Sequence, residues 1–254
     1  MDFSDHMNRS IKRPSSSPKQ TLVALRKELY ALADPADAKF LQGFFKTGPS
    51  QYGAGDKFLG LRVPDLRRFM REYSDLEDSQ ALEMLTSRWH EERLLALLFL
   101  VDKYRRGDDA ARKTIHRAYL ANTRYINNWD LVDASAHYIV GQHLDARNIR
   151  LLERLARSDD IWERRIAIVS TFHFIRAGEF RPTLKIAKLL VDDPHDLIHK
   201  AVGWMLREVG KRDRRALDLF LLKYYRKMPR TMLRYAIERH PEPLRKRYLA
   251  GTAT

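Results

Sequence analysis

Trp129 and Asp133 stand four positions apart in the segment YINNWDLVDAS, which runs from Tyr125 to Ser135. On a helix that spacing puts an indole and a carboxylate on one face. Similar pairings recur. Trp162 precedes Arg165 by three positions, and Trp204 follows Lys200 by four and precedes Arg207 by three. A tryptophan at helical spacing is in general a core residue; a charge on the same face is what sets these three apart. Other chemistries lack their residues. The chain has no cysteine, which removes disulfides, iron–sulfur clusters and thiol nucleophiles. No HExxH, GxSxG or Walker pattern occurs. His137 and His143 lack a third partner to make a ligand set. Neither metal nor cofactor is expected, and any chemistry rests on carboxylate, arginine and indole.

That set suits the breaking of an N-glycosidic bond. The sugar becomes positively charged as the bond stretches, and a carboxylate stabilises that charge or positions the attacking water. Indole faces also favour cations. If the base is already cationic through alkylation, it leaves as a neutral molecule and needs no strong general acid. The sequence offers no obvious one.

Such residues must be held by rigid elements, and the pattern from Thr21 onward is helical. LVALRKELYALA, LARSDDIWERRIAIVSTFHFI and HDLIHKAVGWMLREVGK all carry apolar residues at helical spacing, and alternation of strand type is absent. Similar segments begin at Arg93, Asp130, Arg165, Lys200 and Arg234, in steps of 37, 35, 35 and 34 residues. A helical period of that size marks an α-solenoid, in which helix pairs stack into one continuous core. A non-repetitive helical domain with coincidental registers is the simpler alternative. Gly48 to Gly60 is expected to be a loop, with Pro64 opening the next helix. Residues 1–20, which contain PSSSP, read as a disordered tail, leaving 21–254 as one domain.

The chain has 254 residues and a formal net charge of +14. An excess of that size points to a polyanion, either nucleic acid or an anionic membrane surface, although basic proteins with neither partner exist. No apolar run is long enough to span a bilayer, and the N-terminus lacks the apolar core of a secretory signal. A monomer in the cytoplasm, associated with the nucleoid, is expected.

Taken together, NNWDLVD, SDDIWERRIAIV and IHKAVGWMLREVGK resemble the AlkD family of alkylpurine DNA glycosylases, with the motifs in order across most of residues 22–245. The resemblance implies a solenoid of HEAT-like repeats whose concave basic face holds duplex DNA. It also implies excision of cationic N3- and N7-alkylated purines without flipping the base. By the same resemblance Trp129 and Trp204 pack on the sugar of the damaged nucleotide, Asp133 is the catalytic carboxylate and Arg165 holds a phosphate near the lesion. Phe44 falls where the best-known members carry a tyrosine. Lys200, Arg207 and Trp162 complete the expected DNA contacts. Two other functions stay open on the residues alone. One is a non-catalytic HEAT-repeat protein binding branched or damaged DNA; the other is a peptide-binding scaffold.

Overall fold

The computed structural model describes residues 21–253, so the tail expected over residues 1–20 lies outside the described residues. The described chain is helical, with no named strand and a single isolated bridge between Lys57 and Trp89. No helix is long and apolar enough to cross a membrane among these residues. The first helices are α1 (Leu22–Ala31), α2 (Pro35–Phe44) and α3 (Val63–Glu72). Two rows of helices follow. The front row is α5 (His90–Arg106), α7 (Trp129–Ala136), α9 (Ile161–Ser170), α12 (Asp196–Gly210) and α14 (Arg230–Ala236), each packed on the next. The back row is α4 (Asp78–Leu85), α6 (Asp109–Ala121), α8 (Arg150–Leu155), α11 (Arg181–Leu189) and α13 (Arg214–Tyr224), each packed against a front-row helix. The short α10 (Phe172–Arg176) continues α9, and α15 (Glu242–Ala250) closes the chain. This is an α-solenoid.

The repeat read from the sequence has a structural meaning. Arg93, Asp130, Arg165, Lys200 and Arg234 all fall in front-row helices. One helical run is shorter than its apolar spacing implies. LARSDDIWERRIAIVSTFHFI is broken after Leu155, because Asp160 caps the following helix through a hydrogen bond from the Trp162 amide at 2.8 Å. One apolar cluster runs unbroken from Leu22 to Ala253, as expected when stacked pairs share their faces. Gly203 lets two front-row helices meet: a Cβ there would lie 2.5 Å from that of Tyr235.

The stretch HEE at the start of α5 carries three charged residues, all buried. Each ties a different part of the chain to this helix end. Glu92 accepts from Arg26 Nε at 3.1 Å and Tyr30 Oη at 2.5 Å, fixing α1. Glu91 accepts from the backbone amides of Leu59, Gly60 and Leu61 at 2.9, 2.9 and 3.2 Å. Gly60 has φ +89, and a Cβ there would stand 2.1 Å from the Asp34 carbonyl oxygen, so the turn admits only glycine. Glu91→Ala strands three buried amides. We expect a loss of about 3 kcal/mol, from roughly 1 kcal/mol per orphaned group. Urea unfolding measures it, and an unchanged midpoint would mean the loop satisfies its amides elsewhere.

Candidate active site

Helix α7 is short, so its few side chains are aimed by its two ends. Asn128 caps the N-terminus, its side chain accepting from the Trp129 amide at 2.8 Å. The C-terminus runs into a π-helical turn, His137–Gly141. Such a widened turn shifts the phase of the residues after it and is frequent at functional sites. Trp129, Asp133 and His137 therefore follow one another along one stripe.

The Trp129 indole is half-buried and lies against a set of aromatic rings. It stacks on Phe45 at 5.2 Å and meets Phe44 edge-on at 6.0 Å. Phe44 itself is 55% exposed, so it stands beside Trp129 with one face open. Phe58 also stacks on the His90 ring at 4.5 Å, and Phe45 lies tilted against it at 4.9 Å. Below them His90 bridges two carboxylates, Nδ1 to Asp56 at 3.2 Å and Nε2 to Asp130 at 2.8 Å. Burial alone would lower its pKa; the charges and hydrogen bonds of Asp130 and Asp56 overcome that and raise it to about 9. Burial also opposes the charge on Asp56. The hydrogen bond from His90 and the Arg93 guanidinium, 2.7 Å away, win and hold that carboxyl below the usual range.

A raised histidine pKa contributes stability that is complete below the unfolded value and lost as pH rises through the folded one. The window here is from about 6.5 to about 9, and the loss across it should be on the order of 3 kcal/mol at 1.36 kcal/mol per pH unit. His90→Gln should remove this dependence. Chemical denaturation at several pH values checks it; parallel curves for the two proteins would show that His90 is not the group responsible.

Asp133 is gripped by Arg165 from α9. The guanidinium donates from Nε to Oδ1 at 2.9 Å and from Nη2 to Oδ2 at 2.8 Å, while Nη1 donates to the Leu197 carbonyl at 2.7 Å. One arginine thus joins α7, α9 and α12. Asp133 keeps part of its side chain accessible, 21%, whereas Arg165 is 5% exposed. Burial raises the Asp133 carboxyl above the ordinary aspartate value; Arg165 pulls it down, and the neighbouring Asp130 adds to the rise.

Asp133 opens onto a cleft of about 360 Å³ whose lining includes Arg67, Arg71, Arg105, His137 and Tyr138. A second cavity of about 460 Å³ shares Arg105, His137 and Tyr138 and extends to His173 and Arg176. Among the described residues Arg67, Arg71, Arg105 and Arg176 pair with no carboxylate. Arg105 instead lies over the Tyr138 ring at 4.0 Å. The cleft is electropositive enough to register on its histidine: burial, then Arg176 and Arg105, bring His137 down to about 4. It is neutral at neutral pH.

The residues singled out by sequence separate into groups. Trp129, Asp133 and Phe44 come together. Trp204 joins them indirectly, half-buried on α12 with its ring 5.9 Å from Phe172, which in turn is 5.4 Å from His137. Trp162 is a correction. It is 6% exposed, packed in the core edge-on to Tyr52, because the face of α9 that carries it points into the stack. Arg165 departs from its expected role as a phosphate grip, since its fork is turned inward onto Asp133. Arg207 is engaged by Glu238 and lies 3.8 Å from Glu208. Lys200 is partly exposed and paired with Asp196 at 2.7 Å. Sequence reasoning missed the cleft arginines and His90. Arg67 and Arg71, four apart in VPDLRRFMRE, carry a signal as an i, i+4 basic pair. His90 carries one only in the run of charges that opens HEERLLALLFL.

The family model of DNA alkylation repair enzymes matches residues 25–240. No curated protein matches the chain. Among solved structures, a predicted DNA alkylation repair enzyme from Enterococcus faecalis superposes with a TM-score of 0.64 at 14% identity, over 83% of this chain and 97% of that one. At that identity the likeness is one of fold.

Proposed function

From its membership of the DNA alkylation repair enzyme family, to which this chain belongs, we propose that the protein is a DNA glycosylase that releases cationic N3- and N7-alkylated purines from duplex DNA without flipping them out. The observation that carries this reading is Asp133: a partly accessible carboxylate, held by both oxygens, one helical turn from Trp129 and at the mouth of a cleft lined by unpaired arginines. The arginines hold the duplex by its phosphates, a sequence-independent mode of binding. Trp129, backed by Phe45, and Trp204 pack on the deoxyribose of the damaged nucleotide. Phe44 extends that apolar wall.

The chemistry then needs little. The glycosidic bond breaks with its electron pair moving to the purine, whose formal positive charge is thereby cancelled, so no proton need be donated. Asp133 faces the positive charge developing on the sugar, and electrostatic stabilisation of that kind is the larger part of many rate enhancements. A water attacks C1′ from the opened face and loses its proton to Asp133 or solvent. Arg165 is assigned a positioning role: it fixes the carboxylate plane and keeps the charge on it. The domain from residue 21 onward acts as a monomer, with no metal or cofactor in the step.

The test is incubation with a duplex containing a single 7-methylguanine, followed by detection of free base. Release supports the glycosylase. Salt-sensitive binding of the duplex without release would mean a non-catalytic binder of damaged DNA, and absence of both would leave a scaffold for other partners.

A further inference from the structure

Away from the cleft, the loop before α8 and the first turns of α8 and α11 surround a cavity of about 440 Å³. Arg147, Arg150, Arg181 and Lys185 line it, with Glu153 as the one carboxylate. Four cations against one anion leave an excess of three positive charges. Lys185 is the residue that Glu153 neutralises; Arg147, Arg150 and Arg181 are exposed and pair with no carboxylate among the described residues. Several other surface cations are paired, as in Lys103 with Asp78, Arg62 with Asp37 and Arg106 with Asp102. Three unpaired guanidinium groups around one concavity repel one another, and an anion seated among them relieves that repulsion. Planar forks of this kind suit phosphate oxygens.

The place of this cavity suggests whose phosphates. Gln142 lines the second cavity and stands four positions before Ala146, which lines the basic one; Ala177 and Arg181 are related in the same way. Both concavities thus border the same rim, formed by the connections that lead into α8 and α11. The rows are offset by about one helix diameter, roughly 10 Å. Backbone phosphates advance about 3.4 Å per base pair along a strand, so some three or four base pairs cover that offset.

We propose that this rim cavity is a second phosphodiester site, which takes the backbone of the DNA flanking the lesion as it leaves the cleft. The inference rests on the cleft being the DNA groove, as proposed above. It would make affinity depend on duplex length and not only on the damaged nucleotide.

The experiment compares wild type with Arg147→Gln/Arg150→Gln/Arg181→Gln on undamaged duplexes of about 8 and about 24 base pairs, by fluorescence anisotropy across a salt series, with melting of both proteins as a control of fold. Each phosphate neutralised adds roughly −0.9 to the slope of log K against log salt. The variant should lose two to three slope units by that rule, and at least tenfold in affinity, on the long duplex. On the short one, which carries fewer phosphates beyond the cleft, the loss should be smaller. Equal slopes on the long duplex would overturn the proposal. So would equal losses on both lengths, or a wild-type stoichiometry of two short duplexes per protein, which would mean a separate DNA segment. Because the duplexes are undamaged, the readout does not depend on base release. A protein that fails to excise 7-methylguanine yet shows the length effect would retain the rim site and lose the glycosylase reading.

Discussion

Asp133→Asn is expected to slow base release from a 7-methylguanine duplex by about a hundred- to a thousandfold, the size of effect seen when one preorganised electrostatic group is removed from an active site. The substitution keeps the shape of the side chain and removes its charge. The fold should survive, because the amide oxygen of the new side chain can still accept one of the two bonds from Arg165, at a cost of about 1–3 kcal/mol for the donor left without a partner. Affinity for the duplex should hold or rise slightly, since a negative charge leaves a cleft that meets phosphates. Single-turnover release, with anisotropy and thermal melting alongside, separates these effects. Excision at the wild-type rate would remove Asp133 from the mechanism. A matching collapse of stability would instead make its pairing with Arg165 a fastening between α7 and α9.

Arg165→Gln is expected to change the pH dependence of the reaction as well as its rate. Burial already holds the Asp133 carboxyl above its ordinary value, and Arg165 opposes that rise. Without the guanidinium the carboxyl moves further up. The protonated fraction at a given pH is then larger, and a protonated carboxyl cannot stabilise a cationic sugar. Release by the variant should therefore rise with pH over a higher range than release by wild type. Stability should move the other way. A carboxyl whose folded pKa is raised stabilises the fold when protonated, and that contribution is lost as pH rises and a buried charge without a partner must form. Arg165→Lys keeps a charge but cannot reproduce the two-bond fork, so it should recover little of the rate. Single-turnover rates and melting temperatures between about pH 5 and about pH 9 provide the check. A profile parallel to wild type would mean that Arg165 does not govern the ionisation of Asp133.

Much of this arrangement follows from local rules that the sequence carries by itself. Helical spacing gives the helices, the recurrence at Arg93, Asp130, Arg165, Lys200 and Arg234 gives the stacking, and the four-residue step from Trp129 to Asp133 puts both on one stripe of α7. These are short-range properties, fixed by the geometry of a single helix. Which way each helix is turned about its own axis is not. Packing against neighbours sets that rotation, and it decided that Trp162 enters the core while Trp129, with a similar local pattern, stays half-buried against Phe44 and Phe45. Charge pairing is of the same kind. Arg165 could equally have faced solvent; it meets Asp133, 32 positions away, because α7 and α9 lie side by side. His90 reaches Asp130 across 40 positions for the same reason, and there the carboxylate partners raise the histidine pKa. The cleft arginines come from α3, α5 and α10, segments with no common motif, and only the stacking of those helices collects them around the two adjoining cavities. Local periodicity fixes which residues share a helix face; side-chain exposure and ionisation depend on contacts made across the stack, and those exist only in the folded chain.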